Sequence, residues 1–123
     1  MRNEAIVFGV AALAGALCAL PAVAQEPSVK IFTTTLTSSG AHKECVSLSD
    51  VQKLRYWFRA DAPIDFSIQY TTGSEVAIPV RLKKAAIGTG TYVPKVADVH
   101  CMVLTNASGK PVTARLEFAR INR

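Results

Sequence analysis

The chain has 123 residues, with 14 Lys and Arg against 9 Asp and Glu for a formal charge of +5, and half of its residues are hydrophobic. That length suits one domain and is short for two. The cationic excess favours acidic partners such as lipid headgroups, anionic glycans or acidic proteins, and it also serves solubility.

The N-terminus has the order of a secretory signal: Arg2 in a short polar start, an apolar stretch from Ala5 to Leu20, Pro21, then small residues at Ala22 and Ala24. Cleavage is expected before Gln25, giving a signal peptide over residues 1–24 and a single domain over 25–123. The apolar stretch is 16 residues long and rich in alanine, short of the roughly 20 that span a bilayer. No membrane span is therefore expected after cleavage. Cys18 follows Leu17 and lies upstream of Ala22-Val23-Ala24, which reads as a signal-peptide residue rather than a lipid-attachment site. Arg2 and Glu4 leave together, so the mature chain keeps its +5 charge. An exported destination, periplasmic or secreted, excludes nucleic acid as a partner.

Loss of the signal turns three cysteines into two, Cys45 and Cys101. In an oxidising compartment an even count with no leftover thiol predicts one bridge between them. Closing that loop stabilises a fold by about 4 kcal/mol in the chain-entropy account.

Along the mature chain, Val29 to Thr37 is rich in β-branched residues and ends at Ser38-Ser39-Gly40, which predicts a strand and a turn. Glu44 to Leu48 predicts a second strand carrying Cys45. Ser49 to Lys53 can form one helical turn capped by Ser49 or Asp50. Leu54 to Arg59 alternates, with Leu54, Tyr56 and Phe58 on one face and Arg55, Trp57 and Arg59 on the other. After a turn at Ala60 to Pro63, Ile64, Phe66, Ile68 and Tyr70 alternate with Asp65, Ser67 and Gln69, the pattern of a half-buried strand.

Thr71-Thr72-Gly73-Ser74 predicts a hairpin turn. The return strand is expected to place Val76, Ile78, Val80 and Leu82 inward, with Pro79 marking an edge or a bulge. Gly88 and Gly90 read as a loop, followed by a short strand at Thr91 to Val93. Ala97 to Thr105 is apolar on both faces and is expected to be central. Asn106 to Pro111 forms a turn, and Val112, Ala114, Leu116 and Phe118 alternate to the end. Asn106-Ala107-Ser108, formally a glycosylation sequon, is read as part of that turn. Seven to eight short strands at turn spacings of about ten residues predict an all-β chain, a single antiparallel β-sandwich.

The run Ala60-Asp-Ala-Pro-Ile-Asp-Phe-Ser-Ile-Gln-Tyr, with Gly73 and Val76-Ala-Ile-Pro-Val after it, resembles bacterial secreted proteins related to the emp24 or GOLD β-sandwich. Val99-His-Cys-Met-Val-Leu-Thr-Asn-Ala-Ser, followed by Pro111-Val-Thr, resembles that family's penultimate strand and closing hairpin. With Glu44-Cys45 the resemblance covers residues 41 to 121. It implies a jelly-roll-like sandwich, a disulfide joining an early strand to a late one, and non-catalytic protein or ligand interaction. Relatives carry histidines around the Asp-Phe-x-Ile-x-Tyr strand where this chain has Gln69 and Thr71. They carry an aromatic Cys-Leu-Met-Trp run where this chain has Cys101-Met102-Val103-Leu104. No metal or ligand site is therefore carried over.

Among candidate sites, His42, Cys45, His100, Cys101 and Met102 have the donor chemistry for zinc or copper. Adjacent His100 and Cys101 point to opposite faces of a strand, however, and oxidation removes both thiolates. The disulfide is thus the preferred reading, with no metal and no cofactor. The stripe Arg55, Trp57 and Arg59 can grip an anion or stack on a sugar or peptide. The competing expectation, which we favour at this point, packs Trp57 in the core with the arginines as a solvated or ion-paired rim. Arg81, Lys83 and Lys84 extend a basic surface or guard an edge strand.

For catalysis there is no Gly-x-Ser-x-Gly elbow, and two histidines with no acid partner evident in the sequence do not make a triad. Asp61 and Asp65, rather than acting as a carboxylate pair, are expected to bind amides of the proline turn. The sequence thus predicts a non-enzymatic, exported binding module for an envelope protein or an anionic ligand. A copper- or zinc-handling protein is the alternative, and a small hydrolase ranks third.

Overall fold

The computed structural model describes residues 28–123; the expected signal peptide lies outside them. Within them the chain is all-β. We number its strands β1 (Lys30–Leu36), β2 (Ala41–Leu48), β3 (Gln52–Thr72), β4 (Glu75–Tyr92), β5 (Asp98–Thr105) and β6 (Val112–Asn122). No helix among the described residues is long and apolar enough to cross a membrane.

The strands form one antiparallel sheet in the order β1-β6-β3-β5-β2, with β4 paired to β3 off that path. The six strands of the described residues replace the expected seven or eight because two pairs of short strands merge. Leu54–Arg59 and Ile64–Tyr70 become the 21-residue β3, and Val76–Lys83 and Thr91–Val93 become the 18-residue β4. Pro63 does not end β3. Register shifts between Arg59 and Ile64, and again between Ile64 and Phe66, let the strand continue while its direction changes. Bulges bend and twist a strand in this way.

The bend allows one strand to serve two limbs of the sheet. Gln52–Ala60 pairs with β6, and Asp65–Gln69 pairs with β5, while β4 follows β3 along both halves. The sheet curls over its own inner face. Phe66, beyond the bend, stacks on Tyr56 and Phe58, before it, at ring centroid distances of 4.9 and 4.8 Å. Around these rings pack Leu54, Ile64, Ile68, Met102, Leu104, Leu116 and Val112, all essentially inaccessible to solvent. At the far side Phe32 of β1 lies 6.1 Å from the His42 ring of β2, so the two end strands of the path approach each other.

Two expectations change for physical reasons. Gly88 and Gly90 are not in a loop but inside β4, opposite Phe58 and Tyr56. A Cβ at Gly88 would lie 2.3 Å from Phe58 Cε2, and one at Gly90 2.6 Å from Tyr56 Oη. The aromatic rings of β3 cover the space that side chains of β4 would fill, the arrangement known as aromatic rescue of strand glycines. On β4, Ala77, Val80 and Leu82 face inward, whereas Val76 and Ile78 are exposed. The shift between Ile68 and Tyr70 reverses the expected alternation only at Val76–Ile78, while Val80 and Leu82 face inward as expected.

Turns follow their residue chemistry. Gly73 occupies the first loop position of the β3–β4 hairpin with φ of 64°, the place a type II′ turn reserves for glycine. Ser49 accepts from Val51 N through Oγ and donates its own N–H to Gln52 Oε1, forming a hydrogen-bonded turn rather than a helix. The buried Asn106 ties two turns together: Nδ2 donates to Leu36 O, Thr37 O and Lys110 O, and Oδ1 accepts from Ser108 N and Oγ. The sequon asparagine is fully enclosed.

Cys45 and Cys101 are bonded and stand directly opposite each other on β2 and β5. Both project from the outer face, Cys45 exposed and Cys101 half-buried. The bridge ties the free-edge strand β2 to the interior strand β5. Replacing both cysteines by serine is expected to lower unfolding free energy by up to about 4 kcal/mol, read from urea unfolding of the oxidised wild type beside the variant. Gly88→Val, driven into the Phe58 ring, should cost about 1–3 kcal/mol, whereas Gly109→Val, which faces open space, should cost far less.

Candidate binding face

The first half of β3 alternates strictly. Leu54, Tyr56, Phe58 and Ala60 face the core, so Lys53, Arg55, Trp57, Arg59 and Asp61 face out. Trp57 is therefore not a core residue, contrary to the packing expectation. The inner face is already filled by the aromatic stack, and the period of two leaves Trp57 half-buried on the outside between two exposed arginines.

Neighbouring strands complete the face. Trp57 lies between Thr89 of β4 and Glu117 of β6, Arg59 between Ile87 and Arg115, and Arg55 between Thr91 and Ala119. Arg115 Nε donates to Glu117 Oε2 at 2.9 Å, so the carboxylate beside Trp57 is engaged along its own strand. The other ion pair among the described residues is His42–Glu44. The Arg55 and Arg59 guanidiniums thus have no carboxylate partner there. The surface they frame is open and nearly flat, with a shallow cavity of about 520 Å³ at its bent end lined by Arg59, Asp61, Thr113 and Arg115.

Lys53 and Arg115 were not singled out from the sequence. Lys53 was legible from its parity with Arg55. Arg115 was not, because it reaches the face only through the β3–β6 register.

The carboxylates considered as a pair serve the backbone instead. Asp61 Oδ1 accepts from Thr113 N at 3.1 Å and Asp65 Oδ1 from Lys84 N at 3.0 Å. Both amides belong to neighbouring strands rather than to the proline turn. The metal-type residues do not converge. Cys45 and Cys101 are consumed by the disulfide on the outer face, His100 and Met102 point into the core, and His42 bonds Glu44 Oε2 at 2.7 Å. No group of three or more His, Cys, Asp or Glu positioned to hold a metal occurs among the described residues.

His100 has a structural account. A carbonyl can only accept, so Nε2–H donates to Val96 O at 3.0 Å, and Nδ1 is then free to accept from Tyr92 Oη at 3.2 Å. Tyr70 and Tyr92 enclose the ring at 4.9 and 5.4 Å between centroids. Burial raises the Tyr92 pKa above its ordinary value, with a smaller contribution from Tyr70, and burial alone raises that of Tyr56. A separate groove of about 490 Å³ runs between β1 and β2, with Lys30, Phe32, Glu44, Ser47 and Arg120 among its walls.

Scanned against protein-family models the chain matches none, and a search of curated proteins returns no match.

The two tyrosines hold their protons more tightly folded than unfolded. Their contribution is complete below the ordinary phenol pKa of 10.0 and is lost as pH rises through the raised values. Stability should therefore fall as pH climbs past 10, and Tyr92→Phe should flatten that fall. The same variant should cost about 1–3 kcal/mol near neutrality by leaving His100 Nδ1 without a donor. Denaturant melts across pH 7 to 11 measure both effects, the pH values being chosen to bracket the ordinary phenol pKa of 10.0.

Proposed function

We propose that this chain is an exported, non-catalytic binding module of the cell envelope or the medium, and that its Arg55–Trp57–Arg59 face engages an anionic partner. One observation carries the reading: Trp57 stands half-buried on the outer face between two exposed arginines that have no carboxylate partner among the described residues. Packing on its own sheet covers the indole only in part, and the remainder lies open between the two arginines. A partner that stacks on the indole and accepts from both guanidiniums gains from both contacts. Arginine and tryptophan are also the residues that most often dominate binding energy.

The signal-like N-terminus and the Cys45–Cys101 bridge support export. The likeness to secreted emp24/GOLD-type sandwiches supports an interaction role over turnover. The cationic surplus of the chain supports attraction of anions and raises encounter rates at low salt.

Trp57 is the only tryptophan in the chain, so its fluorescence reports directly on the face. Titration with polyglutamate and with polygalacturonate should change its emission, and the affinity should fall steeply with added salt. Arg55→Ala and Arg59→Ala should each weaken binding by about tenfold, with melting temperature unchanged. Arg81→Ala with Lys83→Ala, on the other limb, should have no such effect. An indole signal silent to every polyanion at low salt would refute the proposal.

A further inference from the structure

The binding face borders a feature it does not use: the outer side of β4. This strand pairs only with β3, so one whole row of its backbone N–H and C=O groups is unpaired by sheet. The two halves of that edge are unlike. Glu75–Lys84 carries Pro79, Arg81, Lys83 and Lys84, a register shift, and a left-handed residue at Lys84 with φ of 54°. These are the devices by which proteins blunt an edge against further pairing.

Ala85–Tyr92 carries none of them: no charge, no proline, and an unbroken register from Arg59↔Ile87 to Leu54↔Tyr92. Its inner side is sealed by the Phe58 and Tyr56 rings over Gly88 and Gly90, which keeps the strand regular without side chains of its own. On its outer side stand Ile87, Thr89 and Thr91, with Ile87 59% exposed. This unguarded stretch is the one that lies beside Arg55, Trp57 and Arg59.

We propose that Ile87–Tyr92 of β4 accepts an extended acidic peptide as an added strand, with the carboxylates on its outward face bound by Arg55 and Arg59. The inference rests on the anionic-partner reading of the face and adds the partner's class and its mode of entry. An unpaired strand edge is matched group for group only by another polypeptide backbone, which separates this partner from a glycan or a lipid. The cations beside it select acidic side chains. An added strand would lie two sheet spacings, about 10 Å, from β3. Extended arginine and glutamate side chains bridge that gap, Arg55 across Thr91 and Arg59 across Ile87. Pairing with a second copy is disfavoured by charge, since it would place two arginine stripes on one continuous face of two chains carrying +5 each.

The test titrates the full domain, followed by Trp57 emission, with a synthetic octapeptide alternating glutamate and valine. Comparison probes are the same peptide N-methylated at alternate amides in either register, a lysine-for-glutamate version, and polygalacturonate. The octapeptide should bind, each of the two Arg→Ala variants should weaken it about tenfold, and N-methylation in one register should weaken it at least about tenfold. A ¹³C-carbonyl label in the peptide should shift to an amide I frequency typical of β-sheet on binding. Equal binding of both N-methylated peptides, or binding of polygalacturonate without binding of the octapeptide, would overturn strand addition while leaving the anionic face intact. Failure of every polyanion would remove the face reading itself. A concentration-dependent dimer dispersed by Ile87→Lys would show the edge already taken by a second copy, and would also overturn the proposal.

Discussion

Phe66 stacks on Tyr56 and Phe58 across a bend in the strand that carries all three, and the remainder of the domain is arranged around that contact. A flat 21-residue strand would hold these rings on one face of an open sheet, half in water. Bulges after Arg59 turn the strand so that its two halves face each other, and the apolar residues of β5 and β6 close over the rings from either side. Burial of three aromatic side chains and their aliphatic neighbours supplies the main driving force. It also requires glycine at two positions of the adjacent strand, where any side chain would collide with a ring.

The same contact decides what the outside looks like. Once Tyr56 and Phe58 are committed inward, strand alternation leaves no freedom for Arg55, Trp57 and Arg59, which must stand outside. Their neighbours are then fixed by register: threonines and an isoleucine on β4, and Arg115 with its engaged Glu117 on β6. The core and the candidate binding face are two sides of one constraint. A change that disturbed the stack would misplace the arginines even though it touches none of them.

The buried Asn106 and His100 are satisfied and structural. Asn106 pins the β1–β2 and β5–β6 turns to each other through both ends of its amide. His100 bridges Tyr92 and the Val96 carbonyl. Each buried donor that found its partner in this way avoids a desolvation penalty that a small core could not absorb. The disulfide lies outside that core, on the outer face, where it fastens an edge strand to its neighbour.

Local pattern alone determined much of this protein. The all-β class, the closing strand with Val112, Ala114, Leu116 and Phe118 inward, the interior place of the apolar Asp98–Thr105 strand, the glycine turn at Gly73 and the pairing of Cys45 with Cys101 all follow from alternation, turn chemistry and cysteine count. Those signals are carried by residues near in sequence or, for the cysteines, by arithmetic. Tertiary structure decided what depends on register between distant segments: that Pro63 bends a strand without ending it, that Gly88 and Gly90 lie beneath aromatic rings rather than in a loop, that Val76 and Ile78 face water, and that Trp57 is outside. Alternation divides a strand into two faces, but it cannot say which face is the core when both carry aromatic side chains. Only the packing of Phe66 against Tyr56 and Phe58 makes that choice, and with it places Trp57 between its arginines.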